Sequence, residues 1–164
     1  MPVRIDFRTR SSDDVYLVVN EGLSIPLTVT ASRTALEVQQ VLRAAEEPDH
    51  VSRERWRVSL TAYEYRFLDT GRSQGQELLA FHWHPDVQSR GNIARRPHVH
   101  LGAALGVAPD RPRHIPTGFL QLEDIVQFAI EELGATPALR GWRAVLERSR
   151  QATADVLPLR SSTP

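Results

Sequence analysis

Alternating apolar and polar residues dominate the first part of the chain. Residues 3–7 alternate in this way, and residues 23–29 repeat the pattern with the same period of two. That period is typical of β-strands with one buried face. The pattern predicts strands there and at residues 15–19. Pro26 lacks the backbone N–H that a strand ladder needs, so its strand is predicted at a sheet edge.

A helical pattern follows these strands. Thr34 and Glu37 stand three residues apart, as in a capping box, and Pro48 provides a stop. Between them, apolar residues recur at helical spacing, namely Val38, Val41, Leu42 and Ala45. The spacing predicts a helix that begins near Thr34 and ends before Pro48.

The middle of the chain returns to β patterning. Residues 55–68 are rich in β-forming side chains and predict one long strand. A turn at residues 69–75 leads into a returning strand at residues 77–84. After a loop at residues 86–96, a third strand is predicted at about residues 97–103. We expect these three strands to pair as an antiparallel meander.

The last part of the chain is helical. One apolar stripe runs through residues 122–133 and ends at Gly134, a residue typical of helix C-terminal caps. Thr136 and Pro137 then predict the start of a second helix. The fold class expected is α+β: an antiparallel sheet, one helix after the N-terminal strands and two C-terminal helices packed on the sheet. We expect a single domain at residues 1–154 and a disordered tail at residues 155–164.

Composition excludes several kinds of chemistry. The 164 residues include no cysteine, which removes disulfides and cysteine-ligated metal sites, and every basic residue is arginine. A formal net charge of zero argues against a bulk nucleic-acid binder. No apolar run reaches the roughly 20 residues needed to span a bilayer, and the first ten residues do not resemble a signal peptide. A cytoplasmic protein without membrane contact is expected.

Four of the six histidines form two His-x-His pairs, His82/His84 and His98/His100. Residues i and i+2 of a strand point to the same face, so each pair projects together. If the two strands are neighbours in register, four imidazoles converge on one patch of sheet. A single histidine on a strand is usually structural, but two such pairs point to a functional site.

Metal binding is one chemistry for this patch. Same-face imidazoles bind divalent ions such as zinc, and three of them leave an open coordination position for catalysis. Asp86 and Glu77 are the nearest acidic candidates in the sequence. His114, in a proline-rich connection, is a further candidate as a fifth ligand, a proton donor or a substrate contact.

Metal-free phosphodiester cleavage is the second chemistry, with one imidazole as the base and another as the acid. Three arginines in or next to the loop between the pairs are candidate phosphate contacts, namely Arg90, Arg95 and Arg96. A third possibility is ligand recognition without turnover. Tyr63 and Tyr65 share a strand face and either line the patch or, as is more common, pack in the core.

Two motif patterns in this region resemble known families. The segment His82-Trp83-His84-Pro85, followed by Ser89 and Asn92, resembles the HxHP…SxxD signature of JAMM metallopeptidases. Here the interval is shorter, and asparagine stands where that family has a zinc-binding aspartate.

A second resemblance covers about residues 63–133. It rests on the Tyr63-x-Tyr65 pattern, the Glu77-Leu78-Leu79 segment before a histidine-rich strand end, and Pro97-His98-Val99-His100 before a helix. Over this span the chain resembles the TumE-like family of bacterial toxin–antitoxin proteins, and small bacterial proteins with the arrangement HWHP…PHxHLG…HIPTG. The resemblance implies a toxin-like enzyme that acts on RNA or nucleotides through these histidines and is neutralised by an antitoxin. The alternative is a non-catalytic metal-binding or protein-interaction module.

Overall fold

The computed structural model describes residues 5–9, 14–19, 23–29, 33–46, 56–71, 75–85, 95–106 and 114–154. These residues form eight strands and two α-helices. The strands are β1 (Ile5–Thr9), β2 (Asp14–Val19), β3 (Ile25–Thr28), β4 (Arg33–Glu46), β5 (Trp56–Asp69), β6 (Gln76–Trp83), β7 (His98–Leu101) and β8 (His114–Pro116). The helices are α1 (Leu122–Glu131) and α2 (Trp142–Ala154), and a 3₁₀ turn lies at Ala103–Leu105.

All eight strands belong to one antiparallel sheet with the order β1-β2-β4-β5-β6-β7-β8. The short strand β3 pairs with the first residues of β4, while β2 pairs with the last part of β4. In the described part of the chain β3 has no second neighbour, so Pro26 stands on an edge strand as its missing N–H predicts. The α+β class is confirmed, and the proposed tail at residues 155–164 lies outside the described residues.

The prediction of a helix from Thr34 is wrong, because this segment forms the 14-residue strand β4. Its apolar residues fit a helical stripe, but Leu36 and Val38 also fit a period of two, and both are buried in the core. Gln40 continues the same face and donates a hydrogen bond from Nε2 to the Tyr65 hydroxyl at 2.7 Å. Pairing with β5 along the whole of β4 supplies the backbone hydrogen bonds that outweigh local helix propensity.

The meander predicted from the middle of the chain is confirmed. Strand β5 pairs with β6 and β6 pairs with β7, both antiparallel. A register shift between Phe67 and Leu68 interrupts the first pairing, and the second is continuous from Leu79 to His82. This continuous register aligns the two histidine-bearing strands.

An aromatic core covers one face of the sheet. Tyr63, Tyr65 and Phe67 of β5 are essentially inaccessible to solvent, with exposures of 1%, 0% and 0%. Phe128 of α1 packs against Phe67 at a ring-centroid distance of 5.6 Å, so α1 lies on this face. The two tyrosines therefore belong to the core rather than to a histidine patch, as packing of alternating aromatics predicts.

Both predicted C-terminal helices are present, with one shifted boundary. The packing on the sheet that was predicted for both is shown for α1, whereas α2 lies against α1. Gly134 adopts a positive φ of 71° just after α1, which is the conformation expected of a C-terminal cap. The second helix begins at Trp142 and not at Pro137. It contacts α1 through polar pairs, including Arg150 to Asp124 at 3.1 Å. No helix among the described residues is long and apolar enough to cross a membrane.

Gly102 permits the close approach of β7 to β6. Its N–H donates to the Leu78 carbonyl at 2.8 Å, and a Cβ on Gly102 would lie 1.9 Å from the carbonyl oxygen of Glu77. Its φ of −82° is accessible to any residue, so the requirement for glycine is steric. The chain at this point therefore needs a residue without a side chain to keep the two strands in register.

We expect Gly102→Ala to destabilise the protein by about 1–3 kcal/mol, because the added methyl group forces the backbone of β7 away from β6. Gly118→Ala is the matched control, since a Cβ there meets no atom within 4 Å and the residue is exposed. Its effect should stay within about 0.5 kcal/mol. Urea unfolding of the two variants measures the difference, and equal stabilities would contradict the steric argument.

Candidate functional site

Strand register brings the histidines together on the face of the sheet opposite the aromatic core. His82 of β6 stands directly opposite His98 of β7, and His100 of β7 stands opposite His114 of β8. Partners directly opposite each other in an antiparallel pair project to the same side. His84 follows the end of β6 on that side. These five residues are called the histidine cluster below.

Ring distances confirm that the two His-x-His pairs converge. The His82 ring centroid lies 4.5 Å from that of His100 and 5.7 Å from that of His98. Within the pairs, the centroids of His98 and His100 are 4.9 Å apart, and those of His82 and His84 are 5.5 Å apart. The predicted patch of four imidazoles is therefore present.

His114 joins the cluster as its fifth member. Its ring centroid lies 4.4 Å from that of His100 and 5.0 Å from that of His98. The prolines around it predict a stiff and partly extended connection, and the structure has the short strand β8 there, paired to β7. Pairing in the sheet, rather than a loop folding over it, places this exposed side chain beside the others.

An acidic residue missed by the sequence analysis completes the site. Glu64 of β5 stands opposite His82, and a carboxylate oxygen of Glu64 lies within 4.8 Å of ligand nitrogens of His82 and His84. Of the acidic candidates nearest in sequence, Glu77 belongs to neither group of potential metal ligands among the described residues. Asp86 lies outside those residues. The register of β5 against β6, had it been known, would have identified Glu64.

His98 is held in one orientation by the backbone. Its Nδ1 lies 2.7 Å from the carbonyl oxygen of Arg96, and only 3% of the residue is exposed. A carbonyl oxygen only accepts, so the Nδ1–H of His98 donates this bond. In the neutral ring the lone pair is then on Nε2, which lies 3.1 Å from Nε2 of His100.

The other pair is less firmly held. Nδ1 of His82 lies 3.4 Å from Nε2 of His84, which is long for a hydrogen bond between nitrogens. Nε2 of His82 is buried and has no hydrogen-bond partner in the described part of the chain. A buried polar atom without a partner costs about 1–3 kcal/mol, so this nitrogen is not explained by packing alone.

Burial and crowding favour the neutral imidazole at His82, His84, His100 and His114. Loss of solvation, followed by the neighbouring histidines, lowers the pKa of His82 to about 3 and that of His100 to about 4. Burial also lowers the pKa of His84 and His114. Neutral imidazole is the form that binds a metal ion, and it is a poor proton donor.

Of the three arginines predicted to contact phosphate, two lie in the described part of the chain. Arg95 and Arg96 are exposed and come immediately before Pro97 and β7. The backbone of Arg96 holds His98, but no side-chain contact of either arginine with the cluster is seen. Arg90 lies outside the described residues, as do Ser89 and Asn92 of the JAMM-like pattern.

The chain was compared with known protein families, curated protein sequences and solved structures. No match was found in any of the three comparisons. The resemblances to TumE-like toxins and to JAMM metallopeptidases stay predictions, and the argument for function rests on the geometry of the cluster.

The metal-free protein is expected to lose stability as the pH falls from about 6.5 towards 4. The folded pKa values of His82 and His100 lie below that of an unfolded histidine, so the unfolded chain binds protons that the folded cluster excludes. Solvent screening limits the slope to at most about 1 kcal/mol per pH unit for each of these residues.

Urea unfolding in the presence of a chelator, at several pH values, measures this dependence. Carboxylates also contribute below pH 5, so the informative quantity is the difference between the wild type and His82→Gln. The variant should lose less stability between pH 6.5 and 4. If the stability of the two proteins fell in parallel with pH, the pKa of His82 would not be lowered in the folded protein.

Proposed function

We propose that this protein binds a divalent transition-metal ion of the zinc class through His98, His100 and His114, and that it is a metal-dependent enzyme acting on phosphodiesters of RNA or nucleotides. The observation that carries the metal site is the 3.1 Å separation of the His98 and His100 Nε2 atoms, with the His98 ring anchored through Nδ1. One ring nitrogen from each of His98, His100 and His114 lies within 4.8 Å of the other two.

The spacing of these nitrogens suits a metal ion. Zinc–nitrogen bonds of about 2.0–2.1 Å in a tetrahedral site place neighbouring ligand nitrogens roughly 3.3–3.4 Å apart. A hydrogen bond between two imidazoles gives a similar distance, but it does not require a third histidine at the same point. The Arg96 carbonyl holds the far side of the His98 ring, as is usual for metal-bound histidines. Three histidine ligands leave the fourth position open for water or substrate.

A metal-dependent reaction is better supported than metal-free acid–base catalysis. Metal-free cleavage needs one imidazole that is protonated near neutral pH to act as the acid. The lowered pKa values of His82 and His100 oppose that protonation and favour ligand nitrogens instead. Of the two chemistries expected from the sequence, metal binding is therefore proposed, with His98, His100 and His114 as the ligands.

The substrate proposal rests on positive charge beside the cluster. Arg95 and Arg96 are exposed at the start of β7, two or three residues from His98, where they are available to contact an anion. A bound ion of this class lowers the pKa of water and stabilises charge on phosphate oxygens. In the hydrolysis, the water gives up a proton to solvent and its oxygen bonds to phosphorus. The bond from phosphorus to the leaving oxygen breaks, and the leaving oxygen takes a proton from solvent. A toxin role, an antitoxin partner and a cytoplasmic location belong to the same proposal.

The metal site is tested by elemental analysis of the protein after incubation with zinc and gel filtration. We expect the wild type to retain zinc, and His100→Ala/His114→Ala to bind it at least tenfold more weakly. Both replaced side chains are partly or fully exposed, so the variant should fold. Glu37→Gln, on the same sheet face, is the control and should bind zinc like the wild type. Unchanged affinity in the histidine variant would contradict the site.

The reaction is tested separately with RNA and with an activated phosphodiester. We expect hydrolysis that a chelator abolishes, that added zinc restores and that is lost in His100→Ala/His114→Ala. A protein that binds zinc through these residues but hydrolyses neither compound would instead be a non-catalytic metal-binding or interaction module.

A further inference from the structure

We infer that Glu64, His82 and His84 form a second metal site beside the first, and that the two ions together bind a phosphate group. This inference rests on the proposed function for the ion at His98, His100 and His114. It assigns a role to the half of the cluster that a single ion leaves unused.

The second set has the geometry of a ligand triad. One carboxylate oxygen of Glu64 and one nitrogen each of His82 and His84 lie within 4.8 Å of one another. The His82 Nδ1 to His84 Nε2 distance of 3.4 Å equals the spacing expected between ligands of a tetrahedral zinc ion. As a hydrogen bond the same distance is poor. The contact is therefore better explained by an ion between the nitrogens than by a shared proton.

The two triads have different compositions that are both typical of catalytic zinc. Three histidines make one, and two histidines with a glutamate make the other. Each leaves a coordination position for water or substrate. Glu64 also contributes the negative charge that a second dication needs beside the first, since five neutral imidazoles offer none.

Glu64 is available for such a role. Its nearest cation is Arg66, but Glu64 Oε1 and Arg66 Nε are 3.4 Å apart, which makes the contact weak. Arg66 makes its closer ion pair with Glu37 on the neighbouring strand. A carboxylate accepts up to about four hydrogen bonds or metal contacts, so this contact leaves most of the capacity of Glu64 unused.

His82 provides an independent observation. A structural histidine in a half-buried position normally has its ring nitrogens paired, whereas Nε2 of His82 is buried and has no partner within the described ranges. Its other nitrogen has only the long contact with His84. An ion binds only one nitrogen of an imidazole ring, and neither nitrogen of His82 makes a good hydrogen bond that metal binding would have to break.

The two triads are close enough for one phosphate group to contact both ions. His82 belongs to one triad and His100 to the other, and their ring centroids are 4.5 Å apart on adjacent strands. The ions would therefore lie roughly one strand spacing apart, about 5 Å. This is longer than the roughly 3.5–4 Å of sites in which two ions clamp the same reacting group, and it leaves room for a phosphate that contacts each ion through a different oxygen. Two dications outweigh the charges of Glu64 and Glu37, so the loaded face attracts anions.

The number of bound ions tests the second site. Wild-type protein should bind two equivalents of Co²⁺, measured by elemental analysis and by visible absorption during titration. Glu64→Gln and His84→Ala should each bind one equivalent, and His100→Ala/His114→Ala should keep the equivalent held by Glu64, His82 and His84. Glu147→Gln, which changes an exposed carboxylate of α2 outside both triads, should bind two.

The outcomes separate this inference from the proposed function. One equivalent in the wild type that is lost only in His100→Ala/His114→Ala overturns the second site and leaves the first intact. One equivalent that is lost only in the Glu64 and His84 variants overturns the first. Two equivalents that are unaffected by Glu64→Gln and His84→Ala place the second ion elsewhere and overturn the inference.

Binding of inorganic phosphate tests the role of the ion pair. In calorimetry, the form with two Zn²⁺ should bind phosphate at least tenfold more tightly than Glu64→Gln loaded with one. The control Glu147→Gln should behave like the wild type. Equal phosphate affinities of the wild type and Glu64→Gln would show that the two ions do not share the ligand.

Discussion

The antiparallel pairing of β6 with β7 is the interaction on which the arrangement of the site depends. With His82 opposite His98, both His-x-His pairs project from the same face, and the opposite face carries Phe81 and Val99 into the core. A slip of one residue would reverse both assignments at once, turning imidazoles into the core and core residues outward. Burial of the aromatic face therefore fixes the register that assembles the histidine cluster, and Gly102 allows the close approach that this register needs.

The cluster itself is unfavourable when considered as packing. Five imidazoles are brought together, and loss of solvation lowers the pKa of His82 and of His100. The buried Nε2 of His82 has no partner in the described part of the chain. A core built only for stability would have apolar residues at these positions. The stacked aromatic layer of β5 and α1 on the other face supplies burial that can offset this unfavourable group. Such a local conflict between stability and composition is typical of functional sites.

The pattern of apolar residues predicted the fold best in segments that fit only one kind of secondary structure. The β5-β6-β7 meander followed from strands of clear period separated by turn residues. Helix α1 followed from one apolar stripe ending at Gly134. The segment from Thr34 was different, because Leu36 and Val38 fit a strand as well as a helix and the intervening residues favour helices. Only the availability of β5 as a full-length partner decided between them, and that partner lies far away in sequence.

By itself, the sequence determined which side chains share a strand face, since that depends only on the period of two in an extended chain. It thereby determined that the two histidines of each His-x-His pair share a face and that His82 and Phe81 lie on opposite faces. Composition separately excluded cysteine and lysine chemistry. The tertiary structure decided which strands are neighbours. Glu64 became a partner of His82, and His114 a partner of His100, because hydrogen-bond register between strands brings together residues that no local pattern relates. Register between distant segments is set by burial of the whole sheet face, a property of the folded chain rather than of any segment.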